Sequence, residues 1–485
     1  MQTIDRRLFL GGAAALALPR MSLAQDEAAP AAPGTKFLSH KIADFVAGFD
    51  LKAAPPLAIE RARVAFVDTV GVMLAGSKLP AAQIVCDMVR EEGSAPQVAI
   101  VGQSLRASPQ FAAMANAVAA HTMDYDFSYI QGQMVAPLVP ALLPLAEKTG
   151  ATPAETLAAF MAGFEVASRL GRAAPTLATK GGWHSLSTAG TIGNAAACAR
   201  LLRLPAAAIP DVLGIAVSMA GGVGANYGTM TKPMHSGLAA RNGILAAQLG
   251  GRGYSSNPAA IEGRDGYFGT FMRGLEVKLD AFDDLGRVSD IAERGYSLKL
   301  YPCGGQSHTA IDSALALRDT LSPRLADIAS IKVGVTAYGA KRIRTDYPVS
   351  SENAKFSMPY LVAYSLIHGA PLIAAFEEKA LDDQKVRALA KVVSLTTDPE
   401  FADLVGVAPA RLVVTFKDGT TVERVRQFAS GTVKAPLTPA QIDEKFLACA
   451  AEAVDRPTAT KLLATLRTLG DQPSFGEFWT QVARA

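Results

Sequence analysis

Cysteine is scarce in this chain: four residues in 485, Cys86, Cys198, Cys303 and Cys449, far apart and with no Cys-x-x-Cys pair. That spacing argues against a disulfide framework, a zinc site or an iron–sulfur cluster. Charge is scarce as well. Only 19% of residues are Asp, Glu, Lys or Arg, and the formal net charge of +3 is scattered without a basic stripe, which argues against a nucleic-acid partner. There is no Gly-x-Ser-x-Gly elbow, no Gly-x-x-x-x-Gly-Lys phosphate loop, no paired-histidine zinc-hydrolase motif and no Gly-x-Gly-x-x-Gly after a strand. Serine hydrolases, phosphate-loop enzymes, zinc hydrolases and dinucleotide enzymes are thereby disfavoured. What remains is acid–base chemistry on an anion, with Lys and Arg to hold carboxylates.

What the chain has in quantity is apolar sequence, 49% of residues, much of it alanine. Length and composition together predict a well-buried, mainly helical protein of two or three domains. Residues 1–24 are expected to be a twin-arginine leader: Arg6-Arg7 precedes an apolar run to Leu18, and Ser22-Leu23-Ala24 supplies a small-x-small cleavage site. The run is too short and too rich in Gly and Ala to span a bilayer comfortably, so a periplasmic protein free of the membrane after cleavage is expected. Residues 25–35 form a flexible lead-in.

From residue 36 to 271 the pattern is helical. Ser108-Pro109 places Ser at an N-cap and Pro at N1, and Thr152-Pro153-Ala154-Glu155 is a capping box. Asp68, flanked by apolar residues, is expected to cap or brace a neighbour. The pattern changes near residue 272. Ile331–Ala337 alternates with period two, and Arg411–Phe416, Lys417-Asp418-Gly419 and Thr420–Arg424 predict a hairpin. Helices are expected at Met358–Ile367 and Asp383–Lys391. Thr438-Pro439-Ala440-Gln441 is a second capping box, after which helix resumes over 433–485. The expected fold is mainly α: a large all-helical domain in two sequence pieces, 36–271 and 433–485, interrupted by an α+β domain over 272–432. A cleft between them is the natural ligand site.

Five stretches join ionisable side chains to glycines or helix ends: His121–Ser128, Trp183–Ser187, Thr231–Arg241, Lys299–His308 and Lys355–Tyr360. Four of the six histidines, His121, His184, His235 and His308, fall within them. Lys232 precedes Pro233, which biases its backbone toward an extended form. His235 and Ser236 then lead into a helix expected over Gly237–Leu249, so that a cation and an imidazole stand at a helix N-terminus suited to an anion. His184 follows Gly181-Gly182-Trp183 and precedes hydroxyl residues able to cap the helix Ala189–Leu202. The positive end of that helix is expected to keep the imidazole neutral.

Taken in order, these stretches resemble the MmgE/PrpD family. The resemblance covers nearly all of residues 37–485. It rests on Asp68-Thr-Val-Gly71 with Ala75-Gly76, His121-Thr-Met-Asp124-Tyr-Asp126, His184, Thr231-Lys232-Pro-Met-His235-Ser-Gly237 and Glu262-Gly263. Further along it rests on Lys299-Leu-Tyr301-Pro-Cys303, His308, Ala354-Lys-Phe-Ser-Met-Pro-Tyr360 and Lys445-Phe446. It implies that the α+β domain is a lid, that the protein is a homodimer and that catalysis needs neither metal nor organic cofactor. It also implies a small di- or tricarboxylate substrate that is dehydrated, decarboxylated or epimerised. Active-site positions of the family fall on Asp124, His184, Lys232, His235, Lys299 and Tyr360. Two departures stand out. Gln133-Met134 occupies the place of the family's His-Pro, and Phe127 replaces the last Asp of the Asp-Tyr-Asp-Asp segment. Gln133 can hydrogen-bond a carboxylate but cannot exchange a proton near neutral pH.

The expected mechanism removes a proton α to a carboxylate and stabilises the resulting charge with fixed cations. Lys232 and Lys299 bind carboxylates, with Arg241 as a third cation; Ser128, Gln133 and Cys303 complete the substrate-binding set. His184 is the general base or acid, His235 its partner on the other face, and Asp124 orients a histidine or takes a proton; Tyr360 joins the catalytic set. Lid closure brings Lys299 to the site. An isomerase or epimerase acting on a similar polycarboxylate, and a periplasmic carboxylate-binding protein without catalysis, are the alternatives.

Overall fold

The computed structural model describes residues 36–129, 132–403 and 408–483; the expected leader and lead-in lie outside the described residues. The protein is mainly α. Among the described residues up to Gly250 there are nine α-helices: α1 (Leu38–Gly48), α2 (Pro56–Gly76), α3 (Pro80–Glu91), α4 (Pro109–Thr122), α5 (Leu138–Thr149), α6 (Pro153–Ala173), α7 (Ala189–Leu201), α8 (Ile209–Met219) and α9 (Thr231–Gly250). A short ladder of β1 (Val98–Ala99) and β2 (Arg106–Ala107) sits between α3 and α4. From Val64 to Gly76 every residue of α2 is buried, so this helix is apolar all round and forms the axis of the first core. The start of α6 follows its sequence signal: the Thr152 hydroxyl accepts from the Glu155 amide at 3.2 Å, and the Glu155 carboxylate accepts from the Thr152 amide at 2.9 Å.

Helices α6, α7 and α9 meet backbone to backbone. A Cβ added to Gly193 of α7 would lie 2.6 Å from the Ala167 Cβ of α6, and one added to Gly243 of α9 would lie 2.5 Å from the Asn194 Cβ of α7. This seam sets the distance between the chain entering α7, which carries His184, and the first turns of α9, which carry Lys232 and His235. The seam is braced by a buried charge cluster. Arg169 of α6, wholly buried, donates to Glu165 at 2.7 Å and to the Val288 carbonyl at 2.7 Å, and pairs with Asp290 at 2.8 Å. Arg172 also reaches Asp290, at 3.1 Å. The segment thus tied to α6 leads directly to Lys299.

The second core runs from Tyr301 to Phe416. Its sheet has the order β4-β3-β5-β6, with β3 (Ile328–Val335) parallel to β4 (Val393–Thr397) and antiparallel to β5 (Ala410–Phe416), which pairs with β6 (Thr421–Arg426). The β5–β6 turn places Gly419 at φ +84°, as an Asp-Gly hairpin turn requires. Helices His308–Leu321 and Met358–His368 pack on the sheet. One boundary and one strand differ from expectation. Met272, Phe282, Ile291 and Leu298 pack in the first core, so the second begins about thirty residues after the change of pattern near 272. Strand β4 gives little sequence signal, because its five residues follow a helix closely and lie mostly at the surface. Beyond residue 433 the chain returns to the first core through Pro439–Ala450, started by the Thr438/Gln441 capping box, and Arg456–Arg467.

Candidate active site

Helix α4 ends at Thr122, and Asp124 then takes φ +53°, a left-handed conformation that Asp tolerates better than most residues. The Thr122 carbonyl accepts from the buried Lys355 ammonium at 2.9 Å, which satisfies the helix end. The turn carries the Asp124 carboxylate to a meeting point of three segments. Its Oδ1 accepts from Lys232 at 2.7 Å and from Gln133 at 2.9 Å, and pairs with Lys299 at 2.7 Å. Lys299 also donates to the Asp124 carbonyl at 2.7 Å. Burial works to raise the pKa of Asp124, but the Lys232 and Lys299 ammoniums outweigh it and hold the carboxyl well below the usual range.

Lys232 lies inside α9, which begins at Thr231 rather than at Gly237. The bias against helix before Pro233 is overcome because a first-turn residue has no intrahelical acceptor for its N–H, so proline there forfeits no hydrogen bond. The ammonium stands 5.9 Å from the Tyr227 ring centre and 5.7 Å from that of Phe356. The surroundings of His184 differ from expectation in three respects. The Ser187 and Thr188 hydroxyls donate to the Gly221 and His184 carbonyls and cap no amide of α7. Nδ1 of His184 lies 2.9 Å from Nδ1 of His235, so the two rings touch. The imidazole is held well below its ordinary pKa, as expected, but the cause is burial first, then its nearness to His121, Lys232 and His235, rather than the helix end. His235 is lowered for the same reasons. A hydrogen bond between two Nδ1 atoms needs one proton, so the pair holds together as neutral imidazoles.

The remaining expected residues are placed as follows. Ser128 exchanges two backbone hydrogen bonds with Ser297, at 2.8 and 2.7 Å, and so ties the Asp124 segment to the Lys299 segment. Cys303 is buried, and burial pushes its thiol up, out of range for proton exchange near neutrality. Arg241 turns its guanidinium to Asn242 at 3.2 Å and touches none of the cluster. Tyr360 lies in the second core, where its hydroxyl donates to the Ala375 carbonyl. Four groups were not in the expected set. His121, at the end of α4, lies 2.9 Å from Asp126, with both side chains fully buried. Tyr227 packs edge-on against His184 with ring centres 5.0 Å apart. Lys445 donates to Asp68 at 2.5 Å, to the Tyr125 carbonyl at 2.9 Å and to the Lys299 carbonyl at 2.8 Å, fixing the backbone on both sides of the cluster. Three of these carried a signal in the sequence: His121 and Asp126 stand five residues apart in one of the singled-out stretches, and Lys445 belongs to a stretch that carries the family resemblance.

Ligand atoms of His121, Asp124 and Asp126 lie within 4.8 Å of one another, the geometry in which a cation could be held. Lys232 and Lys299 already deliver two positive charges to Asp124 there, which opposes a divalent ion. An open hollow of about 570 Å³ lined by Glu262, Arg264, Phe268, Met272 and Arg273 shares no residue with the cluster.

The buried histidines make stability pH-dependent. His184 and His235 are lowered, and His308 is pushed down to about 3. Below about pH 6.5 the unfolded chain binds protons that the folded chain refuses, so stability falls as pH falls. Urea unfolding between pH 7.5 and 4.5 is expected to show a loss of up to about 1.4 kcal/mol per pH unit for each such histidine. The Asp124 contribution is complete above about pH 3.8 and is lost only below it. A flat profile over that range would contradict the burial of neutral imidazoles.

Comparison with known proteins extends over most of the chain. The MmgE/PrpD N-terminal domain model matches residues 40–280 and the MmgE/PrpD C-terminal domain model residues 301–470. The chain is 27% identical over 449 residues to a human cis-aconitate decarboxylase, covering 90% of this chain and 92% of that protein. It is 26% identical over 449 residues to the mouse protein of the same name, covering 90% and 91%. With the cis-aconitate decarboxylase of Aspergillus terreus it shares 26% over 428 residues, covering 83% and 86%.

Proposed function

We propose, since the chain belongs to the MmgE/PrpD family and is an enzyme of the lyase type, that it acts on a small di- or tricarboxylate of the cis-aconitate kind. The step is a proton transfer at a carbon α to a carboxylate, coupled to departure of CO2 or of hydroxide. The observation that carries this reading is the convergence of two buried ammoniums on one carboxylate oxygen beside a neutral imidazole pair. Asp124 stands where a substrate carboxylate would stand. A bound substrate takes over the donors of Lys232 and Lys299, and the negative charge that develops on its carboxylate during proton transfer is stabilised by cations already in position. His184, kept neutral, is the base of the pair with His235. The names of the relatives support decarboxylation before dehydration. The contact between His184 and His235 supports a lyase over an epimerase, which needs acid–base groups on opposite faces of one carbon. Incubating the purified protein with cis-aconitate, citrate and related acids in deuterated water, followed by NMR, tests this. Release of CO2 with one solvent deuteron fixed in the product, or of water with loss of a proton from the substrate carbon, is the expected result; an unchanged panel refutes it.

The chemistry needs no metal or organic cofactor, because the lysines supply the charge that a metal would. Exhaustive chelation is expected to leave activity within about twofold. Loss on chelation with restoration by one metal would place an ion among His121, Asp124 and Asp126 instead. The Arg6-Arg7 leader directs the folded enzyme to the periplasm, with a mature N-terminus near Gln25. Lysine at both arginines is expected to abolish export, and unchanged export contradicts that address. The assembly is a homodimer, testable by sedimentation.

A further inference from the structure

Beside the His184–His235 pair stands a second imidazole with different bonding. His121 Nδ1 lies 2.9 and 3.0 Å from the two oxygens of Asp126, and neither side chain has any exposure. A carboxylate only accepts, so Nδ1 carries a ring proton toward Asp126, and in the neutral ring the lone pair is then on Nε2. That Nε2 is buried and has no hydrogen-bond partner among the described residues. Buried polar atoms are nearly always paired, and one left open beside a reactive cluster is held for a partner that arrives. The His121 and His184 rings are 5.8 Å apart, and the ring sits with Asp124 and Asp126 in one tight group. Gln133 donates to Asp124 at 2.9 Å and to Asp126 at 3.3 Å, so it fixes the carboxylate that fixes His121.

We propose that Nε2 of His121 is a second proton-transfer atom of the site, with Asp126 and Gln133 as positioning residues. The inference rests on the lyase reading for its substrate and on His121, Asp126 and Gln133 for its geometry. In abstraction, the substrate C–H bond breaks, its electron pair passes into the adjacent carboxylate as an enediolate, and the proton forms an N–H bond at Nε2. The ring becomes an imidazolium whose charge is offset by Asp126. In the return direction the Nε2–H bond breaks, carbon takes the proton, and the ring is again neutral with Nδ1–H toward Asp126. His184 remains bonded to His235 throughout, so the two units serve different protons of one turnover. A site with Gln at position 133 thus keeps two proton-transfer groups, and the amide works on their alignment instead of on the proton.

His121→Asn is the informative variant, because its amide nitrogen can replace Nδ1 against Asp126 while nothing replaces Nε2. Turnover of cis-aconitate or citrate, and deuterium exchange into either, should fall at least 100-fold, with KM within about threefold and the unfolding midpoint near that of the parent. Turnover within threefold of the parent overturns the proposal. A variant that does not fold is bypassed with the parent enzyme labelled with ¹⁵N-histidine. His121 should then appear as the Nδ1–H tautomer with an unbonded Nε2 whose signal moves on adding cis-aconitate. An Nε2–H tautomer overturns the proposal even if the enzyme turns over. If the parent is inert toward the whole acid panel, the lyase reading falls, and the tautomer alone decides for or against His121.

Discussion

His184→Asn is expected to lower kcat by roughly 10²–10⁴-fold, the usual worth of a positioned acid–base group, and to leave the fold intact. The substitution is chosen from the geometry. His184 meets His235 through Nδ1 at 2.9 Å, and an asparagine amide nitrogen falls near the place of Nδ1, so the contact with His235 can persist while the far nitrogen of the ring is lost. The ring is buried, flanked by His121, His235 and Tyr227, and is held neutral by burial and by the surrounding positive charge. A neutral, buried imidazole beside two carboxylate-binding lysines is ready to accept a proton without first losing one. Binding depends on Lys232 and Lys299, so KM should change far less than kcat. A histidine that merely fills the core would give the opposite pattern: a lower melting temperature, and a kcat within a few-fold of the parent for the enzyme that remains folded. Measuring both on one preparation separates the two outcomes.

Arg169→Met is expected to remove about 3–5 kcal/mol of stability, the cost of stripping one partner from a buried ion cluster. Arg169 has no exposure and pairs with Glu165, Asp290 and Asp284 at 2.7, 2.8 and 3.2 Å. Methionine matches its length but supplies no charge, and Arg172 can serve only Asp290 and Asp284. Glu165 is already raised by burial against the pull of Arg169, and without the guanidinium it rises further. A carboxyl raised in the folded state contributes least at high pH, where folding must either protonate it or bury its charge. The loss should therefore be larger at pH 8 than at pH 5. Urea unfolding at both values tests sign and size together; a loss under about 1 kcal/mol, or one equal at the two pH values, would show that the cluster is not what holds the segment before Lys299.

Local signals carried much of the fold. Thr152 with Glu155, and Thr438 with Gln441, mark helix starts because a capping box is completed within four residues. The Asp418-Gly419 turn marks its hairpin for the same reason. Lys232, His184, His235 and Lys299 were legible as candidates through their glycines, helix ends and family resemblance, and the structure brings them together around Asp124 and Gln133. What was not legible depends on distance along the chain. Glu165 and Arg169 have the spacing of an ordinary surface pair; only Asp290, more than a hundred residues away, makes them a buried cluster. The low pKa of His184 was foreseen in direction but assigned to a helix end, since the packing of His121 and Lys232 beside it leaves no trace in neighbouring residues. Arg241 and Tyr360 show the converse: side chains with suitable chemistry, directed elsewhere by the face of the helix on which they lie.

The bond from Lys445 to Asp68 joins residues 377 positions apart and gives the enzyme a sense of time. During synthesis Asp68, Asp124, His184, Lys232 and Lys299 all leave the ribosome before Lys445, which belongs to the helix Pro439–Ala450. At roughly 5–20 residues per second, Lys445 follows Asp68 by about 20–75 s. Throughout that interval the Asp68 carboxylate has no cation to enter the core with, and for its last 146 residues, from Lys299 onward, the carbonyls of Tyr125 and Lys299 lack the ammonium that aligns them. The growing chain therefore carries every reactive side chain of the cluster and no working site. The site is aligned only when Lys445 arrives.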